Sequence, residues 1–351
     1  MPGQAVSAIL AIGLGLVVGV VLFVPFVAVS YRRRGHLSVG RFVVWASALV
    51  YFWAIWTYTL LPLPRSREVQ CVGQELDPLA IARELRAALS QGSGFLTDPV
   101  FLQIALNVVL FVPLGFFLRL LAGRGIVVAL LGGFAISLLV ELTQLTGVWG
   151  IYSCAYRVFD VGDLLTNMTG AVVGSVIALL VPRGMRGLPV DSDADLPRPV
   201  TRGRRLLAML CDGIGFFLIS SLLSVAIAAV RRYLLDDLTA TAGDTAVVLS
   251  ATLAPAGLWL VVILATGRSP GDAAVQLRYR GGAVPQPIAR VLRWLGGIAG
   301  MSTVGLLWDP LTSILVFVSL FMVFTTRSGR GLPGFISGQE LTDARVPVGS
   351  R

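Results

Sequence analysis

Apolar stretches of about twenty residues recur along this chain, each long enough to cross the hydrocarbon core of a bilayer as a single helix. The chain is 56% hydrophobic and only 13% charged, where soluble domains are roughly a quarter charged. In lipid every backbone polar group must find its partner within the protein, so continuous runs of this length specify helices. The expected fold is all-α: a polytopic integral membrane bundle, multi-pass in a cell membrane.

Nine spans are expected, with eight as the fallback. They fall at 5–30, 42–61, 99–121, 125–146 and 161–181, and then at 206–230, 246–266, 288–308 and 311–326. Pro62 and Pro64 end the second span, since proline lacks the N–H a helix interior needs. Pro310 stands between the last two, which leaves one long kinked helix as the alternative. Residues 183–205 hold six arginines, several prolines and an acidic DSDAD patch. That composition marks a linker between a domain at 1–182 and another at 206–345. The tail 334–351 is polar and expected to be loose. In the loop after the second span, Leu79, Ile81, Leu85 and Leu89 alternate with Arg83, Glu84 and Arg86, the pattern of a short helix lying on the membrane surface.

Arginines in short loops set orientation. Arg32, Arg33 and Arg34 follow the first span and no basic residue precedes it, the reverse of a cleaved signal peptide. The N-terminus is therefore expected outside, and Arg32–Arg34, Arg124 and the 183–205 linker in the cytoplasm. Cys71 and Cys154 then both lie in outer loops, an oxidising setting in which a disulfide between them is expected. The net charge is +9, but the arginines sit between spans, so no nucleic-acid partner is implied. Cys71, Cys154 and Cys211 share no ligand spacing and His36 stands alone in an arginine-rich loop, so neither metal nor cofactor is implied.

The stretch RVFDVGDLLTNMTG, from Arg157 to Gly170, leads the fifth span. Asp160, Asp163 and Asn167 lie at i, i+3 and i+7, one face of a helix. An acid this close to hydrocarbon needs a partner, a water-filled cavity or a ligand. Arg157 stands just outside, Glu141 and Gln144 one turn apart near the end of the preceding span, and Asn107 in the third. Threading the spans puts all seven towards the outer side. As plain interhelical contacts they would each contribute about 0.6–2 kcal/mol. Three acids with one arginine exceed simple pairing, which leans towards a polar pocket for a lipid head group, sugar or lipoglycopeptide. A hard cation between two acids, or acid–base catalysis by Glu141 and Asp163, are the weaker readings. Asp212, one or two turns inside the sixth span, is read as a structural partner of Arg204, Arg205, Arg290 or Arg293. The alternative for it is a proton- or cation-coupling site.

Residues 40–181 resemble the VanZ-like family of membrane proteins, through NVVLFVPLGF (Asn107 to Phe116), ELTQL (Glu141 to Leu145) and the Arg157–Gly170 motif. The resemblance implies that Asn107, Glu141, Arg157, Asp160, Asp163 and Asn167 are characteristic polar positions. It also implies a bacterial plasma-membrane protein associated with resistance to glycopeptides such as teicoplanin, with membrane lipid, a lipid-linked cell-wall precursor or a lipoglycopeptide as partner. From about residue 202 the chain is similar to the RDD family, through RRLLAMLCDG (Arg204 to Gly213), TGRSPGDAAVQLR (Thr266 to Arg278) and PIARVLRWL from Pro287. Arg205 and Asp212 match that family's Arg and first Asp. Where the family has a His-Asp pair after Arg-Gly-Leu, this chain has Pro333-Gly334 after Arg330. A non-enzymatic envelope protein is the expected function, a transporter using Glu141, Asp163 and Asp212 the alternative, and an envelope-lipid enzyme the third reading.

Overall fold

The computed structural model describes residues 2–61, 63–64, 70–90, 97–187, 190–237, 239, 241–308 and 310–346; the expected helix stop at Pro62 lies outside them. The regular structure of the described residues is helical apart from four short strands. It runs α1 (Pro2–Arg34), α2 (Val39–Leu60), β1 (Gln74–Glu75), α3 (Ala80–Ser90), α4 (Pro99–Ala122), α5 (Ile126–Leu145), α6 (Gly147–Gly150), β2 (Phe159–Asp160) and α7 (Val161–Ile177). Then follow α8 (Arg202–Leu234), α9 (Thr245–Thr266), α10 (Pro270–Ala274), β3 (Leu277–Arg280), α11 (Gln286–Leu295), α12 (Ile298–Gly305), α13 (Pro310–Thr325), α14 (Gly331–Ser337) and β4 (Glu340–Asp343). Among the described residues seven helices are long and apolar enough to cross a membrane: α1, α2, α4, α5, α7 with its 3-10 extension, α8 and α9. α13, at 16 residues, is a shorter apolar helix. The chain divides into two compact units, residues 1–19 with 38–189 and residues 20–37 with 190–351.

In the first unit α7 packs against both α4 and α5. Its inner face is built from Gly170, Ala171, Gly174 and Ser175, all buried, and small residues let two backbones approach without intervening side chains. A β-carbon on Gly174 would sit 1.7 Å from the Val112 carbonyl oxygen, and one on Gly170 2.2 Å from that of Val108. Around this seam Ile55, Phe111, Leu114, Val140 and Ala171 form the apolar core. Tyr51 donates to the Leu110 carbonyl at 2.6 Å and ties α2 to α4. Asp98 caps α4 by accepting from Val100 N at 2.9 Å, with Pro99 at the first helical position, where its missing N–H loses nothing. β1 and β2 pair in parallel, Gln74 with Phe159 and Glu75 with Asp160. Cys71 and Cys154 are disulfide-bonded with Cα atoms 5.5 Å apart. α3 occupies the expected stretch, its start fixed by Asp77, which accepts from Leu79 N at 2.9 Å.

The second unit has a core of Val27, Tyr31, Ala208, Cys211, Val275, Leu277, Tyr279 and Leu341. A second cluster joins Phe216, Ala256, Trp259 and Ala299. β3 and β4 pair antiparallel, from Leu277 opposite Asp343 to Arg280 opposite Glu340.

The sequence reading is corrected at two places in this unit. The expected span at 288–308 is broken at Gly296–Gly297 into α11 and α12, of 10 and 8 residues. Ten residues rise only about 15 Å, half the hydrocarbon thickness. The break is set by packing, because a β-carbon at Gly296 would lie 2.9 Å from Pro333 Cα, while Trp294 donates to the Ala256 carbonyl at 2.9 Å. The tail, expected to be loose from 334, is ordered as the end of α14 and as β4. The open edge of β3 takes up Glu340–Asp343, and Asp343 supplies the counter-charge for buried Arg204. Residues 347–351 lie outside the described ones.

Candidate functional site

Asp160 is the N-cap of α7, its Oδ1 accepting from Gly162 N at 2.7 Å. This cap fixes where the helix begins and so aims Asp163 and Asn167, one and two turns on. Asp163 accepts from the Asn107 side-chain amide of α4 at 2.6 Å, and Asn167 donates to Ser137 Oγ of α5 at 2.8 Å. Glu141 is buried at 4% exposure, and its Oε2 accepts from the backbone N–H of Asp160 at 3.1 Å. The acid of one span thus holds the cap of the next. Gln144 and Arg157 converge on one acceptor, the Thr59 carbonyl at the end of α2, at 2.8 and 3.0 Å. Among the described residues none of the three acids forms a salt bridge with Arg157.

These groups surround a cavity of about 610 Å³, and all seven expected residues line it: Asn107, Glu141, Gln144, Arg157, Asp160, Asp163 and Asn167. That is within the usual range for small-molecule sites, roughly 300–1,000 Å³. Three polar contributors were missed from sequence. Tyr58 and Thr59 lie at the end of a span read as aromatic, and Thr59 acts through its main-chain oxygen, which no residue type announces. Gln103 also lines the cavity; it sits one turn before Asn107, and that spacing was a usable signal. Among the described residues no group of three or more His, Cys, Asp or Glu side chains is placed to hold a metal ion.

The second unit places its polar residues differently from the sequence reading. Asp212 is not paired with any of the four arginines proposed for it. It accepts from Ser269 Oγ at 2.6 Å, Gly271 N at 2.7 Å and Trp259 Nε1 at 3.1 Å. The arginines are engaged elsewhere. Arg205 pairs with Asp272 at 2.8 Å, and Arg204 with Asp343 at 2.8 Å. Arg204 also donates to the carbonyls of Val275 and Gln276. Arg290 and Arg293 donate to the carbonyls of Leu264 and Gly267, at the C-terminal end of α9. Burial alone would raise the Asp343 carboxyl, but donors from Arg345, Arg198 and Arg204 outweigh it and hold the group well below the usual carboxylate range. Burial pushes the Tyr279 phenol up. Asp272 and Asp343 were the residues missed here; Asp272 lay inside a motif and Asp343 in the presumed tail.

Residues 42–182 match the VanZ/LLP1 family model and residues 199–337 match the RDD family model. The chain is a VanZ-like domain followed by an RDD domain. It is a multi-pass membrane protein of the cell envelope. No curated protein and no solved structure matches it. The cavity of about 610 Å³ lies within the VanZ-like domain, and the Arg204–Asp343 pair ties the start of α8 in the RDD domain to a residue just beyond the matched stretch.

Proposed function

We propose that the cavity of the VanZ-like domain binds a lipid-linked cell-wall precursor or a lipoglycopeptide from the outer side of the membrane, without catalysis, and so lowers glycopeptide susceptibility of the teicoplanin type. The observation supporting this is the convergence of one arginine, three acids and four amide side chains on a cavity of about 610 Å³. The Arg157 guanidinium, without a carboxylate partner among the described residues, suits a phosphate or carboxylate, while acids and amides suit the hydroxyls and amines of a sugar or peptide. Glu141→Gln and Asp163→Asn are expected each to abolish the difference in teicoplanin susceptibility between cells with and without the protein, while membrane insertion is retained. Unchanged susceptibility in both variants would leave these residues a structural role only.

The second reading is transport, with Glu141, Asp163 and Asp212 moving protons or cations, since intramembrane acids often mark such paths. Asp212 already accepts three hydrogen bonds, which favours an anchoring role there. Cation flux in proteoliposomes that vanishes in Asp212→Asn would favour transport over binding.

A further inference from the structure

We propose that the arginine-lined pocket of the RDD domain, between β3, α11 and the C-terminal end of α9, is a binding site for a phosphate-bearing anion, either the head group of an acidic phospholipid or free phosphate. The pocket has a volume of about 340 Å³; Arg278, Arg280, Arg290 and Arg293 line it together with Thr266 and Gln286, and no Asp or Glu is among the described residues that line it, while Arg280 also donates to the Val346 carbonyl.

The pocket differs from the other arginine sites of the same domain. Arg204 and Arg205 are buried, and each has a carboxylate at 2.8 Å. Arg293 is equally buried, at 5% exposure, yet among the described residues it forms no salt bridge. Its guanidinium lies 5.1 Å from the ring centroid of Tyr279 and gives one N–H to Gly267 O. The Nε–H groups of Arg278, Arg290 and Arg293, like that of Arg205, are buried without a hydrogen-bond partner, so the difference from the Arg205 site is the missing carboxylate. Asp272 and Tyr279 are near enough to offset part of the Arg293 charge, but a buried cation without a directly paired carboxylate is still expensive. Burial, with Arg278 nearby, also holds the neighbouring Arg268 guanidinium below its ordinary range. Capping of the α9 carbonyls accounts for one N–H each of Arg290 and Arg293 and for nothing at Arg278. Guanidinium groups from a strand and a helix around one space, with no carboxylate among the described residues that line it, match the oxygens of a phosphate group. The pocket also adjoins the end of a membrane span, the depth at which lipid head groups lie.

The test uses the purified full chain in an uncharged detergent, following its thermal unfolding at constant ionic strength. The probes are dihexanoyl phosphatidylglycerol, dihexanoyl phosphatidylcholine and sodium phosphate. A saturable rise in melting temperature with phosphatidylglycerol but not phosphatidylcholine is expected. Arg278→Gln should raise the half-saturating concentration about tenfold, the loss of one charge-assisted hydrogen bond, and Arg278→Lys should restore part of it. The same arginine-dependent saturation by sodium phosphate would assign the site to free phosphate instead. If Arg278→Gln does not elute and melt like the unmodified chain in the absence of probe, Arg280→Gln takes its place. No saturation by either anion, or unchanged affinity in the variant, would overturn the proposal.

Discussion

The side-chain amide of Asn107 donates to a carboxylate oxygen of Asp163 at 2.6 Å, joining the middle of α4 to the first turn of α7. The bond crosses the wall of the cavity, so its two ends shape the site as well as the packing. Asn107→Ala would leave the acid without this donor. Destabilisation of about 1–3 kcal/mol is expected, read as a lowered midpoint of thermal unfolding in detergent. Asn107→Ala with Asp163→Asn should lose less than the sum of the single changes, because the two residues share one interaction.

The helix seam has no room for a side chain. Gly174→Leu would drive its β-carbon towards the Val112 carbonyl, 1.7 Å away, and overpacking costs about 1–3 kcal/mol or more. The variant is expected to give little folded protein by size-exclusion profile. Gly184, with open space around it, serves as the control: Gly184→Leu should elute normally.

Asp343 predicts a pH dependence. Its pKa is depressed in the folded state, so the unfolded chain takes up the proton first as pH falls. The stabilisation is therefore fully present above the unfolded value of about 3.9 and is lost progressively below it. In Asp343→Asn, Arg204 loses its carboxylate while staying buried, a loss of about 3–5 kcal/mol near neutral pH. The gap in melting temperature between the two proteins should narrow as pH is lowered from 6 towards 3. A constant gap would show that Asp343 does not stabilise the fold as an anion.

The sulfur chemistry gives a count. With Cys71 and Cys154 bonded and Cys211 free and buried, the denatured, unreduced protein should titrate one thiol, and the reduced protein three. The bridge spans a sequence separation of 83 residues, and chain entropy puts its contribution at about 4 kcal/mol, reduced because a membrane already restrains the unfolded chain. Three thiols without reduction would remove the bond.

Much of the cavity was legible because helical period is a property of sequence. Asp160, Asp163 and Asn167 had to share a face once 161–181 was helical, and the cost of stray charge in lipid required partners near them. Which partners was less legible. Ser137 and the Thr59 carbonyl answer Asn167, Gln144 and Arg157, and neither a lone serine nor a main-chain oxygen stands out in an apolar run. In the RDD domain the failure was one of distance. Arg205 finds its acid 67 residues away and Arg204 finds its own 139 away, so acids nearer in sequence drew the attention. The span expected at 288–308 failed because hydropathy measures apolar content alone. It does not distinguish a helix that crosses lipid from two short ones folded against Pro333 and Ala256.

Where α4 and α7 meet main chain to main chain, the spacing of Asn107 and Asp163 is held by the backbone itself. Side chains can swing aside for a guest; carbonyl groups in a helix do not. That wall of the cavity is thus a fixed jaw, with its polar teeth at constant separation. The end of α2, which also lines the cavity, is held by donors from side chains, Gln144 and Arg157 on the Thr59 oxygen and Tyr156 on that of Leu60. If the cavity widens or narrows around an occupant, that end of α2 is the jaw that travels.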